Sequence, residues 1–197
     1  MKRKRKKKNR NKKKRHTEVG LLLIFIVIGL SMIFIFRQDI PEPFKAKVKK
    51  REVLREKKTV LLYFLDREDE YLVGEKREIL KRGEVNEEAK KAIIELIKGP
   101  KGRLIPTLPP RTRLLTLRVN DEGVAEVNFD KALSEDHPGG SSAEMMTIYS
   151  IVNSLTANFP EIKKVQILIE GKPGETIAGH LSLKQPVPPN PELIKRQ

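Results

Sequence analysis

The chain has 197 residues, with 41 Lys and Arg against 26 Asp and Glu, a formal charge of +15 and a pI near 10.0. It has no cysteine, which excludes disulfides, cysteine nucleophiles, Cys-ligated zinc, iron–sulfur clusters and lipid attachment at a cysteine. The charge is uneven: residues 1–18 hold 12 basic and one acidic side chain, residues 37–58 nine and four, and residues 59–197 hold 20 and 21. A nucleic-acid-binding domain would carry its basic cluster on the folded part, and this one does not.

Residues 1–18 read as a basic tail. Residues 19–36, VGLLLIFIVIGLSMIFIF, follow without a charge, Ser31 being the only polar side chain. A helix of that length would approach the ~30 Å apolar thickness of a bilayer. The run ends at Phe36-Arg37 with no small-residue cleavage pattern, so it predicts an uncleaved signal anchor rather than a signal peptide. The basic excess before the run outweighs that after it. This places the tail in the cytoplasm, near anionic lipid, and the C-terminal domain outside a bacterial cell membrane crossed once. Residues 37–58, with Pro41 and Pro43, read as a charged linker.

Thr59–Asp66 predicts a strand buried on both faces, and Tyr71–Val73 a short extended piece before the charged stretch GEKREILKRGE. Asn86–Lys98 predicts a helix with Asn86 as N-cap, an apolar stripe of Ala89, Ala92, Ile93, Leu96 and Ile97, and a stop at Gly99-Pro100. Leu114–Val119 and Val124–Phe129 alternate around a turn closed by Gly123, as a hairpin does. A second helix is expected over Ser142–Asn158, with Ser141 and Glu144 at capping-box spacing and Pro160 as its stop. Val165–Glu170 predicts another buried strand before a Gly171–Gly174 turn, and residues 188–197 read as a Pro-rich tail. The order β-α-β-β-α-β predicts a small α/β (α+β) domain over 59–187, two helices packed on one face of a mixed, mostly antiparallel sheet. No internal repeat is visible.

Chemistry-bearing residues are sparse. His16 lies in the tail, and His137 and His180 have no metal-ligand spacing, so each reads as a structural or surface residue. Ser141 and Ser142 follow Gly139-Gly140 without the glycines of a nucleophile elbow or the Gly-Lys of a phosphate loop. A capped helix entry explains them, while Gly140, Ser141 and Ser142 remain the candidate anion- or ligand-binding group. Asp66, Glu68, Asp69 and Glu70 form an acidic turn, read as solvated, with weak cation binding the sharper alternative. No catalytic residue, cofactor site or metal site is predicted.

Several blocks in order resemble the GerMN domain family of sporulation and spore-germination proteins. They are the helix ending Lys98-Gly99-Pro100, the loop with Ile105-Pro106 and Pro109-Pro110, and the hairpin ending Val127-Asn128-Phe129. Tyr149–Leu155, containing Asn153, and Gly179-His180-Leu181 complete the set. The resemblance covers residues 59–187. It implies a non-catalytic extracytoplasmic domain similar to the ring-building motifs of secretion-type assemblies, with Gly99, Pro100, Asn153, Gly179, His180 and Leu181 as structural signature residues. The chain departs from the pattern in having room for one domain rather than two, an apolar run instead of a lipid-bearing cysteine, and Ser182 where the family carries an acid. The expected function is a membrane-anchored scaffold that binds an envelope protein or another copy of itself in sporulation, germination or envelope assembly. The alternative is a module that binds peptidoglycan or a small anion.

Overall fold

The computed structural model describes residues 28, 30–32, 56–68 and 70–196. The basic tail, most of the apolar run and nearly all of the linker lie outside the described residues. Among the described residues no helix is long and apolar enough to cross a membrane. The chain divides into two units, Met1–Glu52 and Val53–Gln197. Of the first, Ile28, Leu30, Ser31 and Met32 are helical and exposed.

The second unit is a mixed α+β fold. Strands β1 (Lys57–Leu65) and β2 (Leu72–Leu80) form an antiparallel two-stranded sheet. Helix α1 (Val85–Ile97) follows. Strands β3 (Leu114–Val119) and β4 (Val124–Phe129) then form a hairpin. After a short helix α2 (Ala132–Glu135) and the long α3 (Ser141–Asn158), β5 (Lys164–Ile169) pairs parallel to β4 and β6 (Lys172–Pro173) antiparallel to β5. The second sheet therefore has the order β3-β4-β5-β6.

A core of Val60, Leu62 and Phe64 from β1, Ile93 and Leu96 from α1, Leu117, Val127 and Phe129 from the β3–β4 hairpin, Ile148, Ile151 and Leu155 from α3, and Val165 and Ile167 from β5 joins these elements. α3 lies chiefly against β1, and α1 against β3. A smaller cluster of Tyr63, Leu72 and Met146, backed by Leu61 and Ile194, sits on the other face of the β1–β2 hairpin.

Two expectations are corrected here. The single sheet is two sheets, because the segment expected to be extended only over Tyr71–Val73 continues as β2 to Leu80 and pairs with the whole of β1. Its charges are compatible with a strand because they alternate. Lys76 and Glu78 face solvent, while Arg77 is only 3 % exposed. The buried guanidinium bonds Glu75 at 2.6 Å, Glu95 at 3.4 Å and the Gly99 carbonyl at 2.8 Å. Paired and bonded in this way, an inward charge is tolerated.

The caps also differ. α1 starts one residue earlier than expected, with Glu84 at its N-cap; Asn86 lies inside it and accepts the Val119 N–H at 2.8 Å. Gly140 is the N-cap of α3, Ser141 makes no capping bond, and the Glu144 carboxylate points elsewhere. The expected stop at Gly99 is present: its φ of 81° is the left-handed value glycine adopts most easily, and its N–H reaches the Leu96 carbonyl.

Candidate functional site

α3 carries polar side chains on the surfaces it buries, and each is committed to a neighbouring segment. Glu144 is fully buried. Its Oε1 accepts the N–H groups of Ile177 (2.8 Å) and Ala178 (3.0 Å), and its Oε2 accepts the His180 N–H (2.8 Å) and lies 3.2 Å from His180 Nδ1. Burial raises the carboxyl pKa, but backbone N–H groups of Ala178, His180, Ile177 and Leu181 outweigh it and hold the group below its ordinary value. The 177–181 loop is thus folded around one carboxylate.

One turn on, the Thr147 hydroxyl donates to the Thr107 carbonyl at 2.6 Å, and Thr107 donates to the Ser150 hydroxyl at 2.7 Å. His137 completes this network. Its Nδ1 accepts the Gly139 N–H at 3.1 Å, so its Nε2, 3.0 Å from the Thr147 hydroxyl, carries the proton. Asn153 pins the C-terminal segment, its amide donating to the Asn190 carbonyl and its Oδ1 accepting the Asn190 N–H.

Ser154 and Asn158 face β1. Asn158 accepts the Leu61 N–H at 2.8 Å and donates to the Leu61 carbonyl at 2.6 Å, and Ser154 accepts the Tyr63 N–H at 2.9 Å. Leu65 exchanges both backbone bonds with Ile105. The α3 side of β1 is therefore closed by side chains and one short bridge.

Across the hairpin an open cleft of about 500 Å³ is lined by Leu61, Tyr63, Val73, Gly74, Ile194, Lys195 and Arg196. Leu61 leans over Gly74, where a Cβ would meet Leu61 Cδ1 at 2.7 Å. At one end of the cleft, Lys195 Nζ lies 2.9 Å from Asp66 and 3.3 Å from Glu68. Burial raises the Asp66 pKa, but Lys195, the N–H groups of Glu70 and Tyr71, and Glu68 bring it down to about 2. The cation at this acidic turn is a lysine of the same chain, and among the described residues no three His, Asp or Glu side chains converge as a metal site.

The structure distributes the residues singled out in the sequence. Gly140, Ser141 and Ser142 are exposed at the entry to α3. Gly99 and Pro100 follow α1, Asn153 holds Asn190, and Gly179, His180 and Leu181 belong to the loop gathered by Glu144. Ser182 is exposed just beyond it. Sequence reasoning missed Ser154, Asn158 and Gly74. The first two sit in a helix whose other polar residues give the same signal, and Gly74 lies in a stretch read as charged and irregular.

The model of the family described as "Germane: Sporulation and spore germination" matches residues 61–175. The chain belongs to this family. No curated protein matches it. The first GerMN domain of the sporulation protein GerM from Bacillus subtilis is similar at 21 % identity and a TM-score of 0.51, over 71 % of this chain and 98 % of that one, and shares the fold. The tandem GerMN domains of the same protein align at 18 % identity and a TM-score of 0.49, over 68 % of this chain and 45 % of that one. A protein from Clostridium perfringens described as a possible lipoprotein aligns at 29 % identity and a TM-score of 0.49, covering 67 % and 87 % of the two chains. The blocks from Lys98-Gly99-Pro100 through Tyr149–Leu155 fall within the matched residues, and Gly179-His180-Leu181 lies beyond them.

Proposed function

We propose that this Germane-family protein is a non-catalytic docking domain, held by an N-terminal membrane anchor at the outer face of the cytoplasmic membrane and serving spore formation, germination or a related envelope assembly. The observation that carries the reading is the use made of the buried polar groups. Glu144, Asp130, Glu88 and Asp66 each accept backbone N–H groups and, except for Glu144, also a Lys or Arg, while Arg77 is neutralised from two sides. A catalytic acid or base needs a free lone pair or proton within reach of substrate, and these groups are saturated by the fold. The buried polarity is used structurally, and the surface is left for contact. The run at residues 19–36 and its basic flank support the anchor.

Protease treatment of intact producing cells tests the topology. Epitopes in 59–197 should be lost while an epitope at the basic tail survives; the reverse pattern would sink the proposed orientation. Deletion of the gene in a spore-forming host should lower the yield of germination-competent spores, and complementation by the full chain should restore it.

A further inference from the structure

The hairpin register sorts the peptide groups of β1 and β2 into two rows. Leu61, Tyr63 and Leu65 turn theirs away from β2, towards Asn158, Ser154 and Ile105. Their register partners on β2 are Lys76, Gly74 and Leu72. In an antiparallel pair, when one member of a facing couple points its peptide groups outward, so does the other. Bonds from Lys81 N–H to the Glu56 carbonyl and from Asp66 N–H to the Tyr71 carbonyl fix the same alternation at both ends of the hairpin. The outer row of β2 is therefore Leu72, Gly74, Lys76, Glu78 and Leu80. The Leu72 carbonyl accepts the Lys195 N–H at 2.9 Å; among the described residues Gly74, Lys76 and Glu78 have no backbone partner on this side.

We propose that this open edge pairs with the same edge of a second copy, antiparallel, with the two-fold axis at Arg77. The alternation and the charges select that register. An axis at Lys76 sets Lys76 against itself, and one at Glu78 sets two carboxylates face to face, both unfavourable for directly opposed residues. An axis at Arg77 sets Lys76 opposite Glu78 of the second copy, twice, and Gly74 opposite Leu80. Lys76 is exposed and has no salt bridge among the described residues, while Glu78 bonds Lys57 in an exposed pair that leaves its other oxygen open. Gly74 is the position where the cleft opens, its surface covered by the leaning Leu61 side chain, so Leu80 of the second copy lies beside Gly74 against Leu61, Tyr63 and Ile194, with Lys195 and Arg196 at the rim. The contact is isologous and closes on itself, unlike the head-to-tail contact of a ring. It rests on the docking reading above and gives that reading a surface and an occupant.

The absence of cysteine makes the test direct. The full chain is prepared in detergent as K76C, as E78C and, for an exposed position in the β3–β4 turn, as E122C. Residues opposed in a hydrogen-bonded antiparallel pair have Cα atoms about 5.5 Å apart, inside the disulfide range of about 4.4–6.8 Å. Two copies of the same residue would be displaced by two positions, about 9 Å, and out of range. Under mild oxidation a K76C and E78C mixture should give linked dimer several-fold above either variant alone and above E122C. Linkage no greater than that of E122C, or K76C linking to itself as well as to E78C, overturns the proposal. Maleimide labelling of K76C in producing cells then separates the two failures. Slow labelling without linkage means another chain covers the edge, so the second copy is wrong and docking stands; fast labelling without linkage removes both at this edge.

Discussion

Replacing Glu144 by alanine deprives three backbone N–H groups, those of Ile177, Ala178 and His180, of the acceptors that hold them at 2.8–3.0 Å. A buried donor left without an acceptor costs roughly 1–3 kcal/mol. Two of these three bonds are only partly buried, so relaxation towards water lowers the total to about 3–5 kcal/mol. With a urea m value of ~2 kcal/mol/M, the unfolding midpoint should fall by about 2 M. Glu144→Gln keeps one acceptor oxygen but turns an amide N–H₂ on the other donors, and should lose about half as much. The assay is urea unfolding followed by circular dichroism, with the full chain in detergent. Its pH dependence has a defined sign. The folded-state pKa is lowered from 4.5, so the carboxylate's contribution is fully present above that pH and is lost as pH falls through the lower folded value. The gap between wild type and Glu144→Gln should therefore narrow in acid. An alanine variant with a midpoint within about 0.3 M of wild type would refute the claim that this carboxylate organises the 177–181 loop.

Gly74→Ala should cost about 1–3 kcal/mol of stability, since its Cβ lands 2.7 Å from Leu61 Cδ1, and Leu61→Ala in the same chain should recover part of that in thermal melts. Asn158→Leu strips the Leu61 N–H and C=O of their partners, so hydrogen exchange at Leu61 should speed up far more than at Val60, which bonds β2; equal effects would argue against side-chain closure of β1. The His137 imidazole should titrate below 6.5 by NMR. Burial lowers its pKa against the opposing pull of Glu144 and a backbone bond to Ala143, and Nδ1 already accepts a hydrogen bond. The neutral ring therefore contributes stability above pH 6.5 that is lost as pH falls through the lower folded value, and a midpoint at or above 6.5 would contradict the assigned tautomer.

What could be read from the sequence was mostly local. The β3–β4 hairpin carries its own alternation and turn glycine, and α1 carries its stripe and its stop. The failures involve partners far along the chain. Ser141 and Glu144 have capping-box spacing, yet a loop more than thirty residues later supplies better donors for the carboxylate. Asn86 has the right side chain for a cap but satisfies Val119 instead. The inward Arg77 looks incompatible with a strand until Glu95 and the Gly99 carbonyl are brought beside it. Of the candidate surface, the acidic turn was visible, but its Lys195 counter-ion lies 129 positions from Asp66. The open edge of β2 was hidden with the strand itself.

The side-chain closure of β1 has a consequence for solubility. Bare strand edges invite polymer growth, because each added strand presents a fresh edge to the next. Here Ser154 and Asn158 act as a stopper on one flank of the hairpin. A strand that joins at the other flank finds the β1 side of this hairpin already closed over Leu61–Leu65. Growth through this two-stranded sheet could therefore proceed from one margin only, which removes it as a link in a fibre that runs through both flanks of the hairpin.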